Sequence, residues 1–400
     1  MAHVVVIGAG QAGASLVARL RGQGFDGAIT LLGEEPVPPY QRPPLSKAYL
    51  LGDMALERLF LRPAQWYDEA GIDLRRGTRV TAIDRAAREV VMGEARLAYD
   101  TLVLATGARP HRLPPAMGGD LGGVHVVRSL ADVDALAPGV VAGARLLIVG
   151  GGYIGLEAAA VAASRGMKVT LIEMAPRILG RVAAPETADY FRALHARHGV
   201  DIREGVGLER LLGEGHVQGA RLSDGSEIAA DMVIAGIGVT PDTTLAEAAG
   251  LAIDNGIAVD AQGRSSDPLI WAAGDCASFP YGGGRLRLES VPNAIDMADC
   301  VADNILGAGR DYVPKPWFWS DQYDVKLQIA GLGAGHDRIV TRGAGDAVSF
   351  WYYAGECLLA VDAMNDPRAY MVGKRLIEAG QSADPARVAD PATDLKALLR

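Results

Sequence analysis

The chain has 400 residues, 49% of them hydrophobic and 22% charged, with a net charge of −9 and 3 cysteines. That length exceeds one ordinary core, so two or three domains are expected. The acidic balance argues against a nucleic-acid binder, the few cysteines against a disulfide framework, and no stretch is long and apolar enough to span a bilayer. The first residues lack the basic start and apolar core of a signal peptide, so a cytoplasmic protein is expected.

In chain order, the first element is an apolar run from Val4 to Ile7, followed by Gly8, Gly10, Ala12 and Gly13. A continuous apolar run suits a parallel strand covered on both faces. Gly8 would take the tight turn into a helix, Gly10 would let a pyrophosphate approach backbone amides, and Gly13 would let helix and strand pack closely. An anion there meets the partial positive charge of a helix N-terminus. A second strand, Ala28 to Leu32, leads to Glu34 and Glu35, placed to accept ribose hydroxyls.

The same arrangement recurs later. The run Arg145 to Val149 enters Gly150, Gly152, Tyr153, Ile154 and Gly155, and the following strand from Lys168 ends at Glu173. One such unit suggests a dinucleotide cofactor, and two suggest two dinucleotides on one protein. A carboxylate at Glu173 accepts free ribose hydroxyls and repels an added phosphate, although Arg177 and Arg181 follow closely as phosphate partners.

Cys276, Cys300 and Cys357 are too far apart for a redox pair of the CxxC kind and are read as small buried side chains. Where disulfide-reducing flavoproteins carry vicinal cysteines, this chain has Arg42, Pro43, Pro44, Leu45, Ser46 and Lys47.

That segment, with Asp100 to Gly107, Gly236 to Pro241, Trp271 to Asp275, Glu289 to Ala294 and Pro316 to Asp321, resembles the NADH-dependent ferredoxin reductases of bacterial oxygenase systems over essentially the whole chain. The resemblance implies an α/β, glutathione-reductase-like fold: two Rossmann-like dinucleotide-binding domains, for FAD and NAD, plus a C-terminal α+β domain. The FAD domain would be discontinuous, at 1–109 and 237–310, with the NAD domain at 110–236 and the C-terminal domain at 311–400. Arg109-Pro110 and Thr240-Pro241 mark the crossings, since proline disfavours helical continuation.

The resemblance also implies site roles. FAD would be held by the first glycine turn, Glu34 or Glu35, Arg42, Lys47, Val80, the crossover residues Ala105, Thr106 and Gly107, Arg128, Asp275 and Val291. The helix starting near Pro292 would point its positive end at the flavin, although an ordinary helix start explains that proline equally well. Asp275 could equally be a helix cap. NADH would bind at Gly150 to Gly155, Glu173 and Gly238, with Glu157 contacting the carboxamide and pairing with Lys47. Glu157 could instead be an exposed glutamate of a first helical turn, and Trp319 either lines the site or is a buried aromatic of the C-terminal core.

The implied activity, with Lys47, Glu157 and Trp319 at its centre, takes hydride from NADH onto FAD and passes electrons singly to a small acidic [2Fe–2S] ferredoxin. That ferredoxin would supply a Rieske aromatic-ring dioxygenase or a haem-thiolate monooxygenase, and the reductase would be a monomer or weak dimer without a metal. Arg62, Arg285, Arg287, Lys326, Arg338 and Lys374 are available for docking, while Asp299 and Asp303 dilute any basic surface. Other readings stay open. An NADH oxidase or disulfide reductase would need a cysteine near 41–47, a quinone reductase an apolar anchor, and a redox-sensing protein resembling apoptosis-inducing factor usually carries targeting segments and inserted loops.

Overall fold

The computed structural model describes residues 2–399. These fall into two compact units, the first comprising residues 2–42, 55–109 and 239–316, the second residues 43–54, 110–238 and 317–399.

The first unit is built on a five-stranded parallel sheet, in the order Ile270–Ala272, Thr101–Leu104, His3–Ile7, Ala28–Leu32 and Ile72–Arg75. Its central strand is apolar from Val4 to Ile7 because both faces are covered: Val4, Val5 and Val6 are at most 1% exposed. Leu16, Val17 and Leu20 of the helix Gln11–Gly22 join one core with Met297, Ala298 and Val301 of the helix Val291–Ile305. Each of the Leu, Val and Met side chains contributes about 1.5–3 kcal/mol by leaving water. At the far end of this helix pair, the Arg19 guanidinium donates two bonds, 2.8 and 2.9 Å, to the Asp303 carboxylate.

The second unit repeats the pattern with strands Asp201–Glu204, Lys168–Glu173, Arg145–Val149, Met232–Ala235 and Val124–His125, again all parallel. It also holds a five-stranded antiparallel sheet: Trp317–Gln322, Val325–Gly331, Cys357–Met364, Ala347–Ala354 and Arg338–Ala344. The helix Pro367–Glu378 covers this sheet, packing Tyr370, Val372 and Leu376 into one cluster with Trp351, Tyr353 and Val361. Trp351 can be fully buried because its indole N–H donates to Ser349 Oγ at 3.1 Å.

The parallel sheets and the antiparallel C-terminal sheet form the fold expected from the sequence. One local expectation changes. Cys276 is buried but Cys300 is half-buried and Cys357 exposed, because Cys357 opens a strand immediately after a turn at Gly355. The aromatic segment at 317–322 forms a strand. Among the described residues no helix is long and apolar enough to cross a membrane.

Asp362 lies in the middle of the antiparallel sheet, 2% exposed. It accepts from Thr187 Oγ1 at 2.7 Å, on the helix Pro185–Arg197, and from the Tyr352 hydroxyl, which itself accepts from the Ala184 amide at 3.0 Å. Burial outweighs these two donors and pushes the Asp362 carboxyl from 3.8 up to about 6. The folded state therefore holds this proton more tightly than the unfolded state. The stabilisation is complete below about pH 4 and is lost as pH rises through about 6. Asp362→Asn should remove this slope: in urea unfolding, the variant should gain on the wild type by up to roughly 3 kcal/mol between pH 4 and 7. A constant difference across that range would show that Asp362 titrates alike in both states.

Candidate active site

In the first unit, the strand His3–Ile7 delivers Gly8 to a turn with φ +112°, where a Cβ would lie 2.1 Å from the Ala105 carbonyl oxygen. Gly13 lies against the same turn, and a Cβ there would lie 2.0 Å from Gly8 O. Gly10 differs: a Cβ on it would meet nothing within 4 Å. Its extended backbone caps the helix Gln11–Gly22 without a side-chain partner, leaving the first amides facing open space.

The other crossings of this unit converge on that turn. Ala105 donates its amide to Ile7 O at 2.8 Å, and Thr106 Oγ1 donates to Asp242 O at 2.6 Å. Gly274 takes φ +82°, and a Cβ there would lie 2.9 Å from Ala12 Cβ, so the loop carrying Asp275 runs beside the first helical turn. Glu35 accepts from the Tyr40 hydroxyl at 2.6 Å and from Arg42 at 2.8 Å. Burial pulls the Arg42 guanidinium down, but Tyr40, Glu35 and Asp275 together hold it above its ordinary value. Glu34 faces solvent, 3.3 Å from an equally exposed Arg79. Val80 is buried in the core, and Val291 is half-buried at the start of its helix. That helix is capped by Ser290 Oγ, which accepts from the Asn293 amide at 3.3 Å.

The second unit repeats the steric logic. Gly150 has φ +107°, with Gly236 O 2.4 Å from an added Cβ, and Gly155 packs with Gly150 O at 2.3 Å. Gly152, like Gly10, has nothing within 4 Å. Next to it, the buried Tyr153 hydroxyl has no hydrogen-bond partner among the described residues, and burial pushes it well above its ordinary value. Ile154 is 43% exposed. The Glu173 carboxylate accepts the Gly151 and Ala175 amides, both at 2.7 Å, which fixes it across the mouth of the turn. Gly238 takes φ +98°, near Arg181 and His111, and Arg128 is half-buried ahead of the helix Leu130–Leu136.

Glu157 is the fifth residue of the helix Tyr153–Ser164, one turn deeper than the sequence reading placed it, and at 4% exposure it is buried, not exposed. Lys47 Nζ lies 2.6 Å from its Oε2. Ser46 Oγ donates to Oε2 and Ser320 Oγ to Oε1, both at 2.7 Å. The two serines were missed from sequence. Ser46 carried a signal, standing next to Lys47 in the quoted segment, but Ser320 carried none beyond its place in an aromatic strand. Trp319, half-buried, occupies the opposite phase of that strand, with its ring 5.5 Å from Trp317. Among the basic residues considered for docking, Arg285, Arg287, Arg338 and Lys374 have acidic neighbours in Asp254, Glu289, Glu356 and Glu378.

Two open glycine cradles at helix N-termini, an unpartnered buried hydroxyl and a carboxylate fixed beside the second turn fit dinucleotides. Residues 2–298 match the family described as pyridine nucleotide-disulphide oxidoreductase, and residues 317–399 match the reductase C-terminal family. The chain belongs to the pyridine nucleotide-disulphide oxidoreductases. Within that class it is 43% identical to rhodocoxin reductase of Rhodococcus erythropolis, covering 98% of this chain and 93% of the relative. It is 42% identical to the putidaredoxin reductase CamA of Pseudomonas putida, covering 99% and 96% respectively. Its structure aligns with a TM-score of 0.96 to the covalent putidaredoxin reductase–putidaredoxin complex, at 41% identity, covering 100% of this chain and 98% of that one.

The glycines separate folding from binding. Gly10→Ala should fold with near-normal stability yet lose most of its bound cofactor, because the added methyl meets only the space a pyrophosphate needs. Gly8→Ala should be destabilised by more than about 2 kcal/mol, through its positive φ and the clash with Ala105. Cofactor stoichiometry and thermal midpoints of the two variants check this, and equal loss of stability in both would contradict it.

Proposed function

We propose that this chain is an FAD-dependent NADH:ferredoxin oxidoreductase of an oxygenase system, working in the cytoplasm. The observation that carries this reading is the likeness to putidaredoxin reductase along the full length of both chains, extending to the structure of its complex with putidaredoxin. A Rieske dioxygenase or a haem-thiolate monooxygenase would be the terminal acceptor. The absence of cysteine between Gln41 and Lys47 agrees with electrons leaving to an external protein.

Under this proposal FAD is held by a discontinuous domain, 1–109 and 237–310, NADH by an inserted domain, 110–236, and residues 311–400 form the C-terminal domain. FAD is assigned to Gly8, Gly10, Ala12, Gly13, Glu34, Glu35, Arg42, Val80, Ala105, Thr106, Gly107, Arg128, Asp275 and Val291. NADH is assigned to Gly150, Gly152, Tyr153, Ile154, Gly155, Glu173 and Gly238. Lys47, Glu157 and Trp319 are assigned to the reacting end. When bound, FAD takes a hydride's two electrons at once and releases them one at a time, as an iron–sulfur acceptor requires.

The residues do the rest by position and charge. Helix N-termini at Gly10 and Gly152 bind pyrophosphates, and Tyr153 offers its free hydroxyl to a ligand. Glu173, pinned by two amides, accepts ribose hydroxyls and repels a ribose phosphate. Lys47 is neutralised by Glu157, so it can place an N–H donor without adding net charge.

The test is anaerobic reduction of the purified flavoprotein with NADH and NADPH, then cytochrome c reduction with and without [2Fe–2S] ferredoxins. The expected outcome is preference for NADH and turnover that depends on ferredoxin. Turnover with oxygen or a quinone but with no ferredoxin would overturn the reading. Glu173→Gln should lower the ratio of kcat/KM for NADH over NADPH about tenfold. An unchanged ratio would assign the preference to another group.

A further inference from the structure

The strand Trp317–Gln322 presents three residues of one phase to the helices of its own unit: the Phe318 ring lies tilted 4.8 Å from that of Tyr153, Ser320 bonds Glu157 and Gln322 bonds His195. The polar groups form one continuous series. Ser320 Oγ is 2.7 Å from Glu157 Oε1, Gln322 Nε2 is 3.1 Å from Ser320 Oγ, and Gln322 Oε1 is 2.8 Å from His195 Nε2. The Tyr323 hydroxyl closes the series, 3.2 Å from His195 Nδ1. Glu157, Ser320, Gln322 and His195 are all at most 4% exposed.

The direction of every bond follows from one end. A carboxylate paired with Lys47 only accepts, so Ser320 donates to it. Ser320 Oγ then accepts from the Gln322 amide nitrogen, which turns the amide oxygen towards His195. His195 must carry its hydrogen on Nε2, leaving Nδ1 to accept from Tyr323. A neutral imidazole is what this requires, and burial pushes His195 down to about 4. Tyr323 is itself held, stacked on His198 at 3.6 Å. Four donors in line, all pointing one way, polarise one another.

We infer that Ser320, backed by Gln322 and His195, is a positioning residue of the proposed reductase: it fixes the Glu157 carboxylate against Lys47 through a one-way series of hydrogen bonds whose far end sets the histidine tautomer. This rests on the functional reading above, since that reading gives the Glu157–Lys47 pair its place at the reacting end. Ser320 touches Glu157 and acts through it.

The experiment uses the full-length, FAD-loaded protein. In ¹⁵N NMR of the histidine rings, with His195 assigned by comparison with His195→Asn, the wild type should show the neutral Nε2–H tautomer from about pH 5 to 8. In Ser320→Ala the Gln322 amide loses its acceptor, so His195 should become a mixture of tautomers. Stopped-flow reduction by NADH should slow about tenfold while the dissociation constant for NADH stays within about twofold. Should Ser320→Ala not accumulate as folded protein, Gln322→Met cuts the next link and should give the same tautomer mixture with a smaller slowing, about threefold. An Nδ1–H tautomer in the wild type overturns the inference, as does an unchanged rate of reduction in whichever variant is measured. Failure of the wild type to be reduced by NADH would instead sink the functional reading, and the tautomer measurement would still report on the series by itself.

Discussion

A carboxylate buried in the interior is the constraint around which the second unit is arranged. Glu157 has almost no contact with water, and an ionised carboxylate taken out of water is costly unless donors replace its hydration. Three donors do so: an ammonium from Lys47, a hydroxyl from Ser46 and a hydroxyl from Ser320. They come from three separate stretches of chain, so folding must bring the segment Pro43–Met54, the helix Tyr153–Ser164 and the antiparallel sheet into register before the charge is satisfied. Removing one partner of such a pair typically costs about 3–5 kcal/mol, far more than an exposed ion pair contributes. A second buried acid, Asp362, ties the same sheet to the helix Pro185–Arg197, but with hydroxyl donors and no cation. The contrast is instructive: with a cation the charge is answered directly, whereas without one burial raises the proton affinity.

The glycine turns work by a different principle, the exclusion of atoms. At Gly8 and Gly150 a side chain is refused by a carbonyl oxygen of a neighbouring crossover strand, so the sheet itself enforces the turn. At Gly10 and Gly152 nothing in the protein refuses it. These two positions are open toward a space the protein does not fill, and that distinguishes residues required for the chain's own packing from residues left small for something else.

The sequence made the repeated turns legible because each is local: strand, glycine, helix and acid lie within a few dozen residues, and their periodicities are strong. The same holds for the central strands of the parallel sheets, whose runs Val4–Ile7 and Leu146–Val149 are apolar on both faces. Around Glu157 the Lys47 partner was expected, but Ser320 was not legible, since it stands 163 residues away and nothing in an aromatic strand announces a serine as a partner. Of the two readings of Glu157, the structure shows the pairing with Lys47 and not the exposed first-turn glutamate. A glutamate near a helix start is usually solvated, and only tertiary packing by the C-terminal sheet buries this one. Cys357 failed in the opposite sense, because the average burial of cysteine says little about a residue that leaves a tight turn. Glu34 and Glu35 were indistinguishable in sequence, yet one is held by Arg42 and Tyr40 while the other meets solvent.

The strand Trp317–Gln322 carries two sets of residues in alternation, Phe318, Ser320 and Gln322 toward the helices and Trp317 and Trp319 in the other phase. Side chains in a strand repeat every second residue, so their roles are assigned by parity alone. A point substitution removes one contact and leaves the others. A single-residue insertion at Trp317 would exchange the two sets wholesale, offering the Trp319 indole to Glu157 and turning the serine and glutamine away, whereas a deletion would bring the Asp321 carboxylate there instead. Variation in this segment is therefore tolerated in kind but not in count, and related chains that keep the buried glutamate should vary here by substitution while holding the strand's length fixed.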